Sequence, residues 1–427
     1  MAASITDLLA SKPLDLAPYE DLYKHYHAHP ELSNQEKETA ATTAKYLSKL
    51  PDFKITTGIG GHGFAGVLSN GSGPTVLLRS DLDALPIKEV TNLRYASTAR
   101  QVSERTGEDS PVMHACGHDM HITCLLAAAE HLSALRSSWS GTLIVLFQPA
   151  EERGTGAQAM VDDGLYDKNK HAIPVPDYVL GQHVMALPAG KIGSRVGTIM
   201  AAADSYKVTV FGRGGHGSMP HRTIDPVMMA TNIVVRLQNI VSRETDPSDM
   251  AVLTVGYLRG GHTENIIVDH AELGIDIRTI NTSTHDRVVA SMKRIIHAEY
   301  IASGATKEPT IEHTRFFPQT DNDEDMEGKL ANSFQDFFGD EFDPQIARTN
   351  ASEDVSILAS SQGKPSLFWF FGGVDPELWA QKEREGRLFE DIPQNHSSSF
   401  APVIQPTLQT GVNALCVAAL TFLGRKD

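Results

Sequence analysis

Three short, nearly unbroken apolar runs stand out along the chain, and each gives way abruptly to polar residues. GPTVLLRSDLDALP runs into Asp81 and Asp83, GTLIVLFQPAEERG into Glu151 and Glu152, and DYVLGQHVMALPAG into Gln182 and His183. Runs without alternation read as strands covered on both faces, usually by helices. Between the first two lies ITCLLAAAEHLSAL, apolar at helical spacing. This part reads as α/β, and ligands of such sheets collect at the carboxyl ends of the strands, where these acids and histidines fall.

Beyond Gly197 the pattern changes. DSYKVTVFGRGG alternates as a half-exposed strand does, and DPVMMATNIVVRLQNIV is an amphipathic helix opened by Asp225 and Pro226 as N-cap and first residue. MAVLTVGYLRGG, NIIVDHAELGIDIRT and THDRVVASMKRIIHAEYIA add two strands and a helix, completing a compact α+β unit. The α/β character returns near residue 315 with EDVSILASS, PSLFWFFGG and a last helix, TLQTGVNALCVAALTFLG. The final segments are too small for a core of their own. The expected architecture is therefore an α/β domain over 1–198 and 313–427, a mixed sheet covered by helices, interrupted by a smaller α+β domain over 199–312. A second domain in series is the plainer alternative. The polar stretch 374–394, within GGVDPELWAQKEREGRLFEDIPQN, reads as a surface loop.

Composition narrows the partners. With 427 residues the chain has room for two domains. Its 53 acidic against 37 basic residues give a net charge of −16, which disfavours nucleic acid and anionic membrane surfaces. Cysteines at 116, 124 and 416 supply no disulfide framework, and neither a signal segment nor a membrane-length apolar run is apparent. A cytoplasmic location is the default expectation.

The chemistry concentrates in PVMHACGHDMHITCLLAAAEHL, whose eight residues 114–121 pack three histidines, a cysteine and an aspartate ahead of an apolar helical run. Cys116 and His118 form a plausible chelate for first-row transition ions, although a buried thiol at a helix start is the plainer reading of the pair alone. Glu151 and Glu152 emerge together from a buried strand. One such carboxylate can bind a metal ion while its neighbour serves as general base. His183 leaves the third strand in the same way, and His396 lies in the loop IPQNHSSSFAPV. Cys116, His118, Glu152, His183 and His396 make five candidate ligands, too many for one catalytic ion with three protein ligands and suited to two.

In order along the chain, LLRSDLDALP, MHACGHDMH, LFQPAEE, GQHV, GRGGHGSMPHRTIDPV, NIIVD, IDIRT and NHSSSFAP resemble the two-metal amidohydrolase and aminoacylase branch of the carboxypeptidase–aminoacylase metallopeptidases, the branch of hippurate hydrolase, N-acyl-amino-acid amidohydrolases and auxin-conjugate hydrolases. The resemblance runs from HAHPELSNQE to the last helix. It implies a catalytic α/β domain with an inserted lid or dimerisation domain, and a homodimer formed through the insert. It implies two divalent ions on the five ligands named, zinc by default, with manganese, cobalt or nickel as alternatives. Glu151 falls at the general-base position, Asp83 at that of an acid orienting a metal-bound histidine, and His216 at that of a histidine polarising the scissile carbonyl. Asn265 and Arg278 match residues receiving the substrate's carboxylate or backbone, and Gly372 could let that carboxylate approach main-chain amides. Asp81 is not counted as a ligand. His114, Asp119 and His121 are expected to support the site or cap the helix, and the histidines of YHAHPELSNQE to be structural.

The reaction implied is hydrolysis of a small N-acyl amino acid to a carboxylic acid and an amino acid. A dipeptidase or carboxypeptidase would use the same machinery. A non-catalytic binding protein on this scaffold would be expected to have lost a ligand or the base, and a biosynthetic enzyme running the reverse reaction would look the same.

Overall fold

Parallel strands with both faces covered are largely apolar, and three of the central strands here follow that pattern until their polar ends. In the computed structural model, which describes residues 3–425, the chain divides into two compact units. The first comprises Met1–Ile199, Asp321–Ala347 and Asp354–Asp427, the second Met200–Thr320 with Arg348–Glu353.

In the first unit, helices α1 (Ala17–Ala28) and α2 (Lys37–Leu47) precede a mixed sheet. Its main strands are β1 (Lys54–Ile59), β2 (Gly63–Asn70), β3 (Thr75–Asp81), β4 (Trp139–Gln148), β5 (Tyr178–Pro188) and β6 (Ser366–Val374), in the spatial order β1-β2-β4-β3-β5-β6. β4, β3, β5 and β6 run parallel, while β1 and β2 form an antiparallel margin. The register pairs Asp81 with Gln148 and Arg79 with Gly181. Carried two residues further, it sets Asp81 level with His183, so the polar ends of β3, β4 and β5 share one rim.

Helix α3 (His118–Ala134) connects β3 to β4 and is buried at every position from His118 to Ala129. A helix apolar all round belongs inside a core. α3 shares that core with α4 (Thr407–Phe422), itself buried along most of its length, and with Val76, Leu78, Val145, Phe147, Leu180, Trp369 and Phe371 of the sheet.

The second unit is an antiparallel sheet in the order Ala251–Arg259, His270–Thr279, Ala202–Phe211, Thr310–Phe317. Helices Pro226–Asn239 and Thr282–Ala302 supply Met229, Ile233, Leu237, Val288, Met292 and Ile296 to its core. Asp225 caps the first as expected, accepting from the amides of Val227 at 2.9 Å and Met228 at 3.2 Å. The strand Thr310–Phe317 escaped the pattern because most of its residues are exposed.

The polar stretch expected as a loop is helical instead, over Pro376–Glu385 and Leu388–Asp391. Asp375 caps the first helix on the amides of Glu377 and Leu378 with Pro376 in its first turn. Lys382 braces the pair, reaching Glu385 at 2.9 Å and Asp391 at 2.8 Å. Capping and charge pairing formed these helices without an apolar stripe, which is why periodicity missed them.

Beneath the rim, Arg79 is buried and fully engaged. It reaches Asp81 at 2.8 Å, Gln148 at 2.9 Å and Asp354 at 3.2 Å. Gln148 in turn donates to Asp354 at 2.6 Å, as does the Ala157 amide at 3.1 Å. Removing one member of a buried charge network strands the others. Arg79→Met is expected to cost about 3–5 kcal/mol in urea unfolding followed by tryptophan fluorescence. A loss below about 1 kcal/mol would show that the network is not structural.

Candidate metal centre

Gly117 opens α3 from a left-handed conformation, φ 85°, and a Cβ there would meet Val184 Cγ1 at 2.4 Å. The turn aims Cys116 and His118 toward the rim from either side of it. His118 Nδ1 donates to the Asp83 carbonyl at 2.9 Å, and His183 Nδ1 donates to the Val184 carbonyl at 2.7 Å. Each bond commits Nδ1 to a carbonyl and leaves Nε2 facing the site, the nitrogen a metal ion would take.

The donor atoms converge. Cys116 Sγ lies 3.4 Å from His183 Nε2 and 3.2 Å from His396 Nε2. Glu152 Oε1 is 3.2 Å from His396 Nε2 and 3.9 Å from His118 Nε2. Ligands held at roughly 2.0–2.3 Å around one ion are separated by such distances. All five expected ligands are thus brought together, with Glu151 Oε2 at 4.0 Å from His118 Nε2. His118 Nε2 and Glu152 Oε1 are buried with no hydrogen-bond partner among the described residues. His396 closes the ring from a left-handed backbone, φ 69°, held by its amide on the Ala115 carbonyl at 2.7 Å. Its side chain is 53% exposed whereas the other four are buried or nearly so, so the centre opens to solvent beside it.

Electrostatics favour a cation at this point. Burial pushes the Cys116 thiol well up, and Glu152, Glu151 and Asp81 push it further. Burial acts against charge on His118, yet Asp81, Asp83 and Glu152 hold its pKa at about 10. Burial, with His121 and His118 nearby, holds His183 well below the usual imidazole range. A thiol that cannot ionise beside crowded carboxylates is the environment a divalent cation reverses, so donor set and charge both fit a metal centre.

The supporting residues divide the work in ways the sequence left open. Asp81 is not free to ligate, since Arg79 and His121 Nδ1, at 2.7 Å, hold it. His121 Nε2 accepts the Val184 amide at 2.9 Å and so braces the strand next to His183. Asp83 supports His118 through its main-chain carbonyl, while its carboxylate accepts the amides of Glu151 and Glu152, both at 3.1 Å. Asn395 donates to the carbonyls of Cys116 at 3.2 Å and Val184 at 3.0 Å. Neither it nor Arg79 was singled out from the sequence. A polar residue directly before a candidate ligand was the signal for Asn395, and a lone arginine in an apolar strand the signal for Arg79.

Gly372 takes no part as an open donor. Its amide is given to the Lys191 carbonyl at 2.9 Å, and a Cβ would collide with Pro188 O at 1.8 Å, so the glycine serves a close main-chain pass. In the second unit, His216 pairs with Ile266, and Gly217 donates to the Asn265 carbonyl at 2.8 Å, bringing His216 and Asn265 side by side. His216 Nδ1 accepts from the Ser218 amide at 3.1 Å and sits 2.8 Å from its hydroxyl, which leaves Nε2 as the protonated, outward face. Arg278 is tethered by Asp276 at 3.0 Å and donates to the Asn350 carbonyl at 2.8 Å.

The profile of peptidase family M20/M25/M40 matches residues 77–393. The chain is 34% identical over 378 residues to N-acetyl-L-cysteine deacetylase of Bacillus subtilis, covering 86% of this chain and 84% of that protein. It is 37% identical over 330 residues to hippurate hydrolase of Campylobacter jejuni, covering 77% and 81%. The fold is shared with the crystal structure of YXEP from Bacillus subtilis, described as a dinuclear metal binding peptidase, with a TM-score of 0.72 at 24% identity over 95% of this chain and 98% of that one.

Behind the centre, His27 lies buried between Asp119 at 2.7 Å and Glu89 at 3.0 Å. Burial alone would lower its pKa, but the bonds to Asp119 and Glu89 prevail and raise it to about 10. The folded value exceeds the ~6.5 of a free imidazole, so this stabilisation is complete below about pH 6.5 and fades as pH rises toward 10. His27→Gln should cost on the order of 3 kcal/mol in urea unfolding near pH 6, and the gap from the unsubstituted protein should narrow steadily toward pH 10. A gap independent of pH would mean that His27 is neutral in the fold.

Proposed function

Since the chain belongs to peptidase family M20/M25/M40, we propose that it is a metal-dependent amidohydrolase releasing a carboxylic acid and an amino acid from small N-acyl amino acids. The observation that carries this reading is the convergence of five donors with a second buried carboxylate, Glu151, beside them. The relatives named for deacetylation of N-acetyl-L-cysteine and hydrolysis of hippurate support the substrate class.

Cys116, His118, Glu152, His183 and His396 would hold two divalent ions, with zinc the default for thiolate and imidazole donors. Such ions, when bound, supply Lewis acidity that activates water near neutral pH and polarises a carbonyl. Glu151 takes the proton of the attacking water and returns it to the leaving amine. Its backbone amide is anchored on Asp83, so the carboxylate is held in direction before substrate arrives. His216, protonated at Nε2, donates to the carbonyl oxygen as negative charge grows there. Asn265 and Arg278 receive the substrate's carboxylate, for which the planar guanidinium is suited.

The second unit acts as lid and dimerisation domain, inserted between the segments of the first. Exposed Met228 and Val235 on the helix Pro226–Asn239 support a homodimer, as do Tyr257 and Leu258 on the edge strand Ala251–Arg259. Among the described residues no helix is long and apolar enough to cross a membrane. The cysteines are free, in keeping with a cytoplasmic enzyme.

The protein purified without chelator is expected to carry close to two ions per chain by plasma emission and to hydrolyse N-acetyl or N-benzoyl amino acids. Chelation should abolish the activity, and zinc or manganese should restore it. Glu151→Gln should lower kcat by about 10²–10⁴-fold while retaining the ions. Cys116→Ala should lose them. Protein that binds no ion and cleaves none of these substrates would overturn the reading.

A further inference from the structure

Glu36, the last residue of HAHPELSNQE, is an N-cap that does not cap. It stands at the N-terminus of α2, yet its side chain makes no bond to that helix. The orphan amides are taken by Glu31, which accepts from Glu38 at 3.2 Å and Thr39 at 2.7 Å. The Glu36 carboxyl, fully buried, is thereby released to turn elsewhere. Its Oε1 accepts from the Asn34 amide at 2.7 Å and from the Ala150 amide at 2.8 Å.

Ala150 is the hinge between β4 and the acidic pair. It adopts φ 50°, a left-handed conformation that costs a non-glycine residue roughly 1–2 kcal/mol. Its carbonyl accepts the Thr155 and Gly156 amides at 3.4 and 3.3 Å. Three successive amides, those of Ala150, Glu151 and Glu152, therefore point at two buried carboxyls, Glu36 and Asp83. Ser33 completes the arrangement by donating to Asp83 at 2.6 Å. Neighbouring residues of a tight turn face different ways, so the rotation of this one turn decides which carboxylate meets the donors and which stands beside them.

We propose that Glu36 is a positioning residue, whose Oε1 holds the Ala150 amide in the left-handed turn and so sets the directions of Glu151 and Glu152. For the reaction itself this rests on the function proposed above. What the clamp needs is an acceptor oxygen, not a charge. Burial, with Asp83 nearby, raises the Glu36 pKa to about 8, which suits the neutral form.

Three variants test the assignment. Glu36→Leu removes the acceptor, Glu36→Asp withdraws it by one methylene, and Glu36→Gln keeps it. For Leu and Asp, kcat should fall by up to about 10²-fold with KM little changed. Their metal affinity, read by competition with a chromogenic chelator, should fall by about 10–100-fold. Amide hydrogen exchange in the peptide spanning 147–155 should accelerate in both and stay protected in Glu36→Gln, which should also retain kcat and affinity. Should Glu36→Leu fail to fold, the Asp and Gln pair still decides. Unchanged exchange and affinity in the Asp variant, or a Gln variant as impaired as Asp, would overturn the proposal. Exchange and metal affinity need no substrate, so a failure to find hydrolysis would sink the proposed reaction while leaving the clamp tested.

Discussion

Everything near the rim of the parallel strands answers to one constraint, the crowding of like charge among side chains that are almost all buried. Asp81, Asp83, Glu36 and Glu151 are buried together with a thiol. Three of these acids are accommodated in different ways. Asp81 is matched by Arg79 and His121, Asp83 by main-chain amides and Ser33, and Glu36 by a raised pKa. What remains uncompensated, around His118, Glu152 and Cys116, is where the donors converge. The candidate metal centre is what is left of a charge balance that the protein alone leaves incomplete.

The backbone conformations follow from the same requirement. Gly117, Ala150 and His396 all have positive φ, and each sits directly beside or at a residue of the centre. Gly117 adopts this conformation freely, whereas at Ala150 and His396 it persists only where surroundings over-determine it. Here the surroundings are visible. Val184 crowds Gly117, Glu36 grips Ala150, and the Ala115 carbonyl holds His396 with Asn395 tied alongside.

Much of this was legible in the sequence, and the limits have physical causes. The runs ending at Asp81, Glu151 and His183 announced themselves because strands covered on both faces read as nearly continuous apolar runs. The five donors followed, since few acids and histidines stand at the ends of such strands without a partner. Charge-stabilised helices such as Pro376–Glu385 were invisible to hydrophobic period, and Thr310–Phe317 was too exposed to alternate. Glu36 was hidden for another reason. In sequence it is an ordinary helix-start acid, and only the capture of the α2 amides by Glu31 shows that its carboxyl is free to cross to Ala150.

The candidate ligands and their supports span the chain, from Glu36 through Cys116, Glu152 and His183 to Asp354 and His396. During synthesis the core helix α3 and the strands β3 to β5 emerge long before Asp354 can meet Arg79 or His396 can close the ring. Such non-local contacts are the late ones in folding. The nascent polypeptide must therefore carry its buried acids through most of translation without their final partners, and assembly of the centre coincides with completion of the fold.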